Sequence, residues 1–204
     1  MPDPSLDRNQ SDLILIEGLK EGKRECYEAL YNRYLETIYR FIFYMIHQKE
    51  AAEDLTQEVF IKLYHSAHLF DLKRGTFSAW LHQMAKNLTL DYLRHEKTQA
   101  AESISHSQSS SEDLMQIEHI LRDQRILPDE AAVTQEQLEL FEKALLELSE
   151  RGRQLIILCT INEFSHSEVA QILNCSVTSV KVGLHRARER LLKQMGIPKE
   201  LGEL

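Results

Sequence analysis

The four prolines of this 204-residue chain stand at positions 2, 4, 128 and 198, and only seven glycines are spread through the rest. Proline and glycine are the strongest interrupters of regular backbone, so long stretches are left open to α-helix. Those stretches carry apolar residues at spacings of three and four, the period of one helix face. Between Glu25 and Ile46, Leu30, Tyr31, Tyr34, Leu35, Ile38, Phe41, Ile42 and Met45 form one broad stripe. A second helix is predicted from about Ala51 to Ala67, with Leu55, Val59, Phe60 and Leu63 facing inward. A third begins near Thr76, carries Phe77, Trp80, Leu81, Met84, Ala85, Leu88, Leu90 and Leu93, and loses its pattern after His95. Residues Phe70 to Gly75 form a short loop between them, where the glycine permits the turn.

The stretch AAESISHSQSSSEDLMQ is Ser-rich, acidic and almost without large apolar residues, so it buries too little surface to offset chain entropy. It is predicted to be a linker. The period returns from Gln137 with Leu138, Phe141, Leu145 and Leu148, then Leu155, Ile156 and Leu158. Ser165-His166-Ser167-Glu168 has the spacing of a capping box, in which the serine hydroxyl and the glutamate carboxylate satisfy each other's exposed backbone amides. The helix it opens points Val169, Ala170, Ile172 and Leu173 inward, and Asn174 suits a left-handed stop. Ser176 can cap a further helix with Val180, Leu184, Ala187 and Leu191 on one stripe. A capped short helix, a tight turn and a second helix with a cationic outer face make a helix-turn-helix.

The expected fold class is therefore all-α, with two small helical domains joined by a flexible acidic linker. An N-terminal extension covers residues 1–23, the first domain 24–96, the linker 97–136, the second domain 137–195 and a tail 196–204.

The formal net charge of −8 has the wrong sign for a nucleic-acid binder, yet the charge is unevenly placed. Residues 177–195 hold five cations (Lys181, Arg186, Arg188, Arg190, Lys193) against Glu189, so 5 − 1 = +4. Residues 98–136 hold two cations and eight anions, so 2 − 8 = −6. Such a partition is expected when different segments meet different partners. Cys26, Cys159 and Cys175 lack C-x-x-C spacing, which argues against a zinc ribbon or a disulfide framework and for small apolar core residues. No apolar run approaches the ~20 residues of a membrane span, and MPDPSLDRNQ lacks the basic start and apolar run of a secretory signal. A cytoplasmic protein is expected.

Two segments resemble a known family. Ala52-Glu53-Asp54-Leu55-Thr56-Gln57-Glu58-Val59-Phe60, then Gly75-Thr76-Phe77-Ser78-Ala79-Trp80-Leu81, Ala85-Lys86-Asn87 and Asp91-Tyr92-Leu93-Arg94, are similar to the second conserved region of the extracytoplasmic-function (ECF, group 4) subfamily of sigma-70 factors of bacterial RNA polymerase. The run from Leu148 through Ser165, Glu168, Val169, Ala170, Val180, Lys181, Leu184, His185, Arg186, Ala187 and Arg188 resembles their fourth region.

The resemblance implies an alternative sigma factor, without catalytic residues, metal or cofactor, that joins core RNA polymerase and directs initiation at particular promoters. Asp54, Gln57 and Glu58 would dock on the clamp coiled coil of the largest subunit, and the flap of the second-largest subunit is implied as a further contact. Phe70, Lys73, Arg74, Trp80 and Asn87 would melt and capture the minus-ten DNA, with Phe77 in the core and Trp80 open to a core role as well. Lys181, Val182, His185, Arg186 and Arg188 would read the minus-thirty-five element as duplex. An anti-sigma protein that masks both domains until a stress signal arrives is implied too.

The chain departs from the family pattern at Val182-Gly183, where many relatives carry Ser-Arg: one cation is missing, and glycine weakens a helix by about 1 kcal/mol relative to alanine. Cys159 and Glu163-Phe164 are further departures. A stand-alone helix-turn-helix regulator is the rival, but it leaves Asp54 to Phe60 and Gly75 to Arg94 as coincidence. An enzyme would have to draw on His65 and His68 with Asp54 or Glu58. No second metal-binding helix, Gly-rich phosphate loop or nucleophile elbow accompanies them.

Overall fold

The computed structural model describes residues 4–102 and 135–197. Among them are eight α-helices: α1 (Pro4–Lys20), α2 (Arg24–Ile46), α3 (Lys49–Ser66), α4 (Phe77–Glu102), α5 (Gln135–Leu146), α6 (Glu150–Ile156), α7 (His166–Ile172) and α8 (Val177–Gln194). Two 3-10 turns, Ala67–Leu69 and Leu72–Arg74, join α3 to α4, and α6 runs on into a π-helical turn, Ile157–Ile161. No strand occurs among the described residues, in keeping with the all-α expectation. Of the expected linker, residues 97–102 belong to α4 and 135–136 to α5; the rest of it, 103–134, lies outside the described residues.

The centre of the fold is α2. It packs against α1, α3 and α4 on one side and against α5, α6 and the π turn on the other. Every residue from Arg40 to Ile46 is buried, as expected of a helix covered all round. Phe41 and Met45 are fully enclosed together with Phe60 of α3 and Phe77 of α4. Each such side chain stabilises the fold by about 1.5–3 kcal/mol relative to exposure. The helix stops at His47, whose φ of 54° is left-handed and whose N–H donates to the Phe43 carbonyl.

The stretch 1–23, expected as an extension, contributes α1, which packs along α2. Its anchor is polar: Asp12, 1% exposed, accepts from Arg33 Nη1 at 2.5 Å and from the Tyr34 hydroxyl. Ile16 and Leu19 complete the contact.

The two groups of helices meet through a mixed interface. Arg153 of α6 donates to Met45 O at the end of α2 (2.5 Å) and to Leu145 O and Leu146 O at the end of α5 (3.2 and 2.7 Å). One guanidinium thus caps two helix C-termini, where carbonyls lack helical partners and the macrodipole favours a cation. Asn162, just after the π turn, donates to Thr37 O (3.3 Å) and to His82 Nε2 (3.2 Å), and Phe164 meets the His82 ring edge-on at 4.6 Å. With His82 Nδ1 donating to Ser78 O (2.8 Å) and Nε2 accepting from Asn162, the imidazole is neutral; burial depresses it to about 4, partly opposed by the Ser78 bond.

Glu142 on α5 sits in the same interface, 4% exposed and 3.9 Å from His47 Nε2. Burial, with Glu139 adding to it, pushes its carboxyl up to about 7, while burial and Arg153 lower His47. The two buried titrations have opposite signs. His82 is depressed, so its contribution is present above its ordinary value near 6.5 and is lost as pH falls toward 4. Glu142 is raised, so its contribution is complete below about 4.5 and is lost as pH rises through 7. Glu142→Gln should therefore raise stability at pH 8 by on the order of 2 kcal/mol. Thermal denaturation followed by circular dichroism should show that gain shrinking as pH is lowered toward 5.

Candidate nucleic-acid interface

Three exposed surfaces hold the residues that the sequence singles out. On α3, Leu55, Val59 and Leu63 are buried against α2 and α4, which turns Asp54, Gln57 and Glu58 outward as one exposed polar row. Thr56 is buried and bonds back to Ala52 O at 2.6 Å. The row continues into exposed apolar residues, Ile61 and Tyr64. With Gly22, Arg24, Tyr27 and His65 these line an open cleft of about 360 Å³. His65 closes α3, whereas His68 falls in the following 3-10 turn.

The second surface is the connection between α3 and α4. Phe70 is 6% exposed, packing on Phe77 (5.7 Å between ring centroids) and on half-buried Trp80 (5.4 Å). Its ring therefore braces the loop from below. Lys20 of α1 donates to Phe70 O at 3.3 Å. Asp71 Oδ1 accepts from Lys73 N at 3.0 Å, closing the short turn that presents Lys73 and Arg74 to solvent. Gly75 has φ +140°, and an added Cβ would lie 2.5 Å from Gln171 Oε1 of α7. The loop's solvent-facing apolar groups are Leu69 (63% exposed) and Leu72 (54%), which the sequence pattern did not single out. Asn87 is exposed on α4, while its neighbour Lys86 is half-buried and donates to Ile172 O at 3.2 Å. Burial and Arg151 lower the Lys86 ammonium below its ordinary value.

The third surface is the helix-turn-helix. Ser165 and Glu168 form the capping box: Ser165 N donates to Glu168 Oε2 (3.0 Å) and Glu168 N to Ser165 Oγ (3.3 Å). Asn174 turns the chain at φ 50°, and Ser176 Oγ caps α8 by accepting from Ser179 N at 3.2 Å. Val180, Leu184, Ala187 and Leu191 are buried, so Lys181, Val182, His185, Arg186 and Arg188 are all exposed. Arg188 lies 3.5 Å from Thr160 Oγ1 and His185 lies 3.7 Å from Glu189. Gly183 faces inward, and a Cβ there would be 2.7 Å from Leu155 Cδ1, so the glycine serves close helix packing. Among the described residues no group of three or more His, Cys, Asp or Glu is placed to hold a metal ion.

Comparison with known proteins matches the segments in which these surfaces lie. The family model for sigma-70 region 2 covers residues 30–99, and that for sigma-70 region 4 covers 138–191. The chain is 33% identical over 180 residues to the ECF RNA polymerase sigma factor SigW of Bacillus subtilis, an alignment spanning 88% of this chain and 94% of the relative. It belongs to the ECF sigma factors. Another Bacillus subtilis member, SigX, is 33% identical over 176 residues, 86% of this chain and 87% of the relative. Among solved structures, the sigma factor RpoE bound to the anti-sigma factor NepR from Bartonella quintana shares the fold. Its TM-score is 0.67 at 23% identity, covering 85% of this chain and 98% of that one. CnrH in complex with the cytosolic domain of CnrY gives a TM-score of 0.66 at 20% identity.

As an ECF sigma factor the protein directs promoter-specific transcription initiation. Gly183 is one of the positions where its packing leaves no room for a side chain. Gly183→Ala would gain about 1 kcal/mol in helix propensity but would press on buried Leu155, a strain of about 1–3 kcal/mol. Chemical denaturation of this sigma factor should show no stabilisation from Gly183→Ala alone. In a Leu155→Ala background the same change should become favourable.

Proposed function

We propose that this sigma factor docks on core RNA polymerase through the α3 row of Asp54, Gln57 and Glu58. The loop and helix from Phe70 to Asn87 would then melt the minus-ten DNA, and the outer face of α8 would read the minus-thirty-five element as duplex. What carries the reading is one chain holding both an outward carboxylate-amide row and a capped helix-turn-helix with outward cations, each inside the segment that matches its own sigma region.

The chemistry suits the division. Carboxylates and an amide on an exposed helix make directional, charge-assisted contacts with a cationic or amide-bearing partner, which fits the clamp coiled coil of the largest polymerase subunit. Exposed lysine and arginine on the second helix of a helix-turn-helix can donate to guanine edges or phosphates. Near the minus-ten loop, Lys73 and Arg74 follow backbone charge, while Leu69, Leu72 and the edge of Trp80 offer apolar surface to an unstacked base; Phe70 acts beneath them as a brace. The second domain would contact the flap of the second-largest subunit.

The protein acts on this reading as a non-enzymatic subunit in the cytoplasm, the compartment of its polymerase. No helix among the described residues is long and apolar enough to cross a membrane. One structural neighbour is a sigma factor in complex with an anti-sigma factor, and another, CnrH, is in complex with the cytosolic domain of CnrY; an anti-sigma factor is proposed here too. With α7 seated on α4, Lys86 is bonded to Ile172 and Gly75 faces Gln171. Engagement of separated promoter elements would part this contact.

The test is reconstitution. Purified protein mixed with bacterial core polymerase should co-elute and yield defined transcript 5′ ends from fragmented genomic DNA of the source organism. Asp54→Ala combined with Gln57→Ala should abolish both while shifting stability by no more than about 0.5 kcal/mol, because both side chains are exposed. Tight duplex binding as a dimer without core polymerase would establish the stand-alone regulator instead.

A further inference from the structure

Val182 stands on the solvent face of α8 with 46% of its surface exposed. It takes no part in the buried stripe of Val180, Leu184, Ala187 and Leu191. Its neighbours on the outer face are polar: Thr178 one turn before, Lys181 beside it, His185 and Arg186 one turn beyond, all exposed. The face is graded along the helix. Its first half carries the methyl-bearing Thr178 and Val182, and its second half carries Arg186, Glu189, Arg190 and Lys193, with Arg188 at its side.

A helix-turn-helix puts the N-terminal part of its second helix against base edges. Val182, in the sixth position of α8, falls in that part. A valine there can neither donate nor accept a hydrogen bond. The one group in the major groove that gains from an apolar contact is the C5-methyl of thymine. Being β-branched, valine in a helix is held in a single dominant rotamer, so its two methyls are presented in a fixed direction at little entropic cost. Gly183 adds to this by seating α8 closely on Leu155 behind that face.

We propose that Val182 is a specificity-determining residue of this sigma factor, reading a thymine, on either strand of the upstream promoter element, through contact with its C5-methyl. The proposal rests on the sigma-factor reading above and adds to it the base chemistry that one residue selects. Lys181 and Arg186 supply the flanking polar and phosphate contacts, and Val182 discriminates thymine from cytosine, which carries hydrogen at C5.

Uracil differs from thymine only in lacking that methyl, which isolates the contact. Holoenzyme assembled from the full chain and core polymerase is bound to a promoter fragment defined by mapped transcript starts. Each thymine of the upstream element, on both strands, is replaced singly by uracil, and competition binding is measured for the wild type and for Val182→Ser. At one position uracil should weaken wild-type binding about fourfold, the loss expected for one buried methyl, and should have little effect on Val182→Ser. Because the readout is a ratio between two DNAs, a general loss of affinity in the variant does not obscure it; Val182→Ala serves as a second variant that keeps the helix and shortens the contact.

An upstream element without thymine, a series with no sensitive position, or a uracil effect of equal size in wild type and variant would overturn the proposal while leaving the sigma-factor assignment of α8 intact. Failure of the wild type to give any defined start is a separate result, visible before uracil is introduced, and removes the reading on which the proposal rests.

Discussion

The C-terminal half of α2 is buried on every side, and both groups of helices take their shape from that burial. A helix enclosed all round must be apolar all round, which the run Phe41 to Ile46 provides. Enclosure also carries an electrostatic demand, because the helix ends inside the molecule and its last carbonyls are cut off from water. Arg153 meets it for Met45 and, with the same guanidinium, for Leu145 and Leu146 of α5. Arg40, itself buried, donates to Ile161 O at 3.3 Å and lies 3.7 Å from Glu36. Arginine suits such places because it stays charged and spreads its donors over a rigid fork, so one side chain can serve several carbonyls.

That sharing explains which parts of the fold are legible in the sequence. Helices α2, α3 and α4 follow from apolar spacing alone, because each buries a stripe that is continuous along its own axis. The turn around Asn174 follows from local chemistry too: Ser165, Glu168, Asn174 and Ser176 act within four residues of themselves. Helix α1 is harder to read because its anchor is Asp12, a carboxylate that a hydrophobicity pattern assigns to the surface and that Arg33 and Tyr34 draw inside. The bond that holds the Phe70 carbonyl comes from Lys20, fifty residues earlier, and the one that ties Lys86 goes to Ile172, eighty-six residues later. No local period carries that information. The same limit applies to Gly183, which a propensity scale registers as a weakness and which the close approach of Leu155 requires.

At the candidate interfaces the legible part was the polar part. Asp54, Gln57, Glu58, Lys73, Arg74 and the α8 cations can be placed outward as soon as their helices are known, since burying an unpaired charge is costly. The exposed apolar residues beside them, Ile61, Tyr64, Leu69 and Leu72, could not be told from core residues by type. Ile61 and Tyr64 are exposed by the phase of α3, and Leu69 and Leu72 by the two 3-10 turns that follow it. Such groups next to outward charges are what a surface with a partner to meet would carry.

The distribution of charge bears on how such a protein can be selective. Its net charge of −8 opposes approach to DNA as a whole body, while the +4 of residues 177–195 favours it at contact. Under physiological salt, charges farther apart than about 8 Å are largely screened from one another. The cationic face of α8 therefore acts once the helix is already close to a duplex and does little to draw a free chain there. A free chain built in this way would gain little long-range attraction to DNA from these charges, and would gain from being carried to the duplex by a larger partner. On the reading proposed above, the acidic row on α3, kept on a different helix from the cations of α8, would give that partner a docking surface which does not compete with the DNA for the same charges.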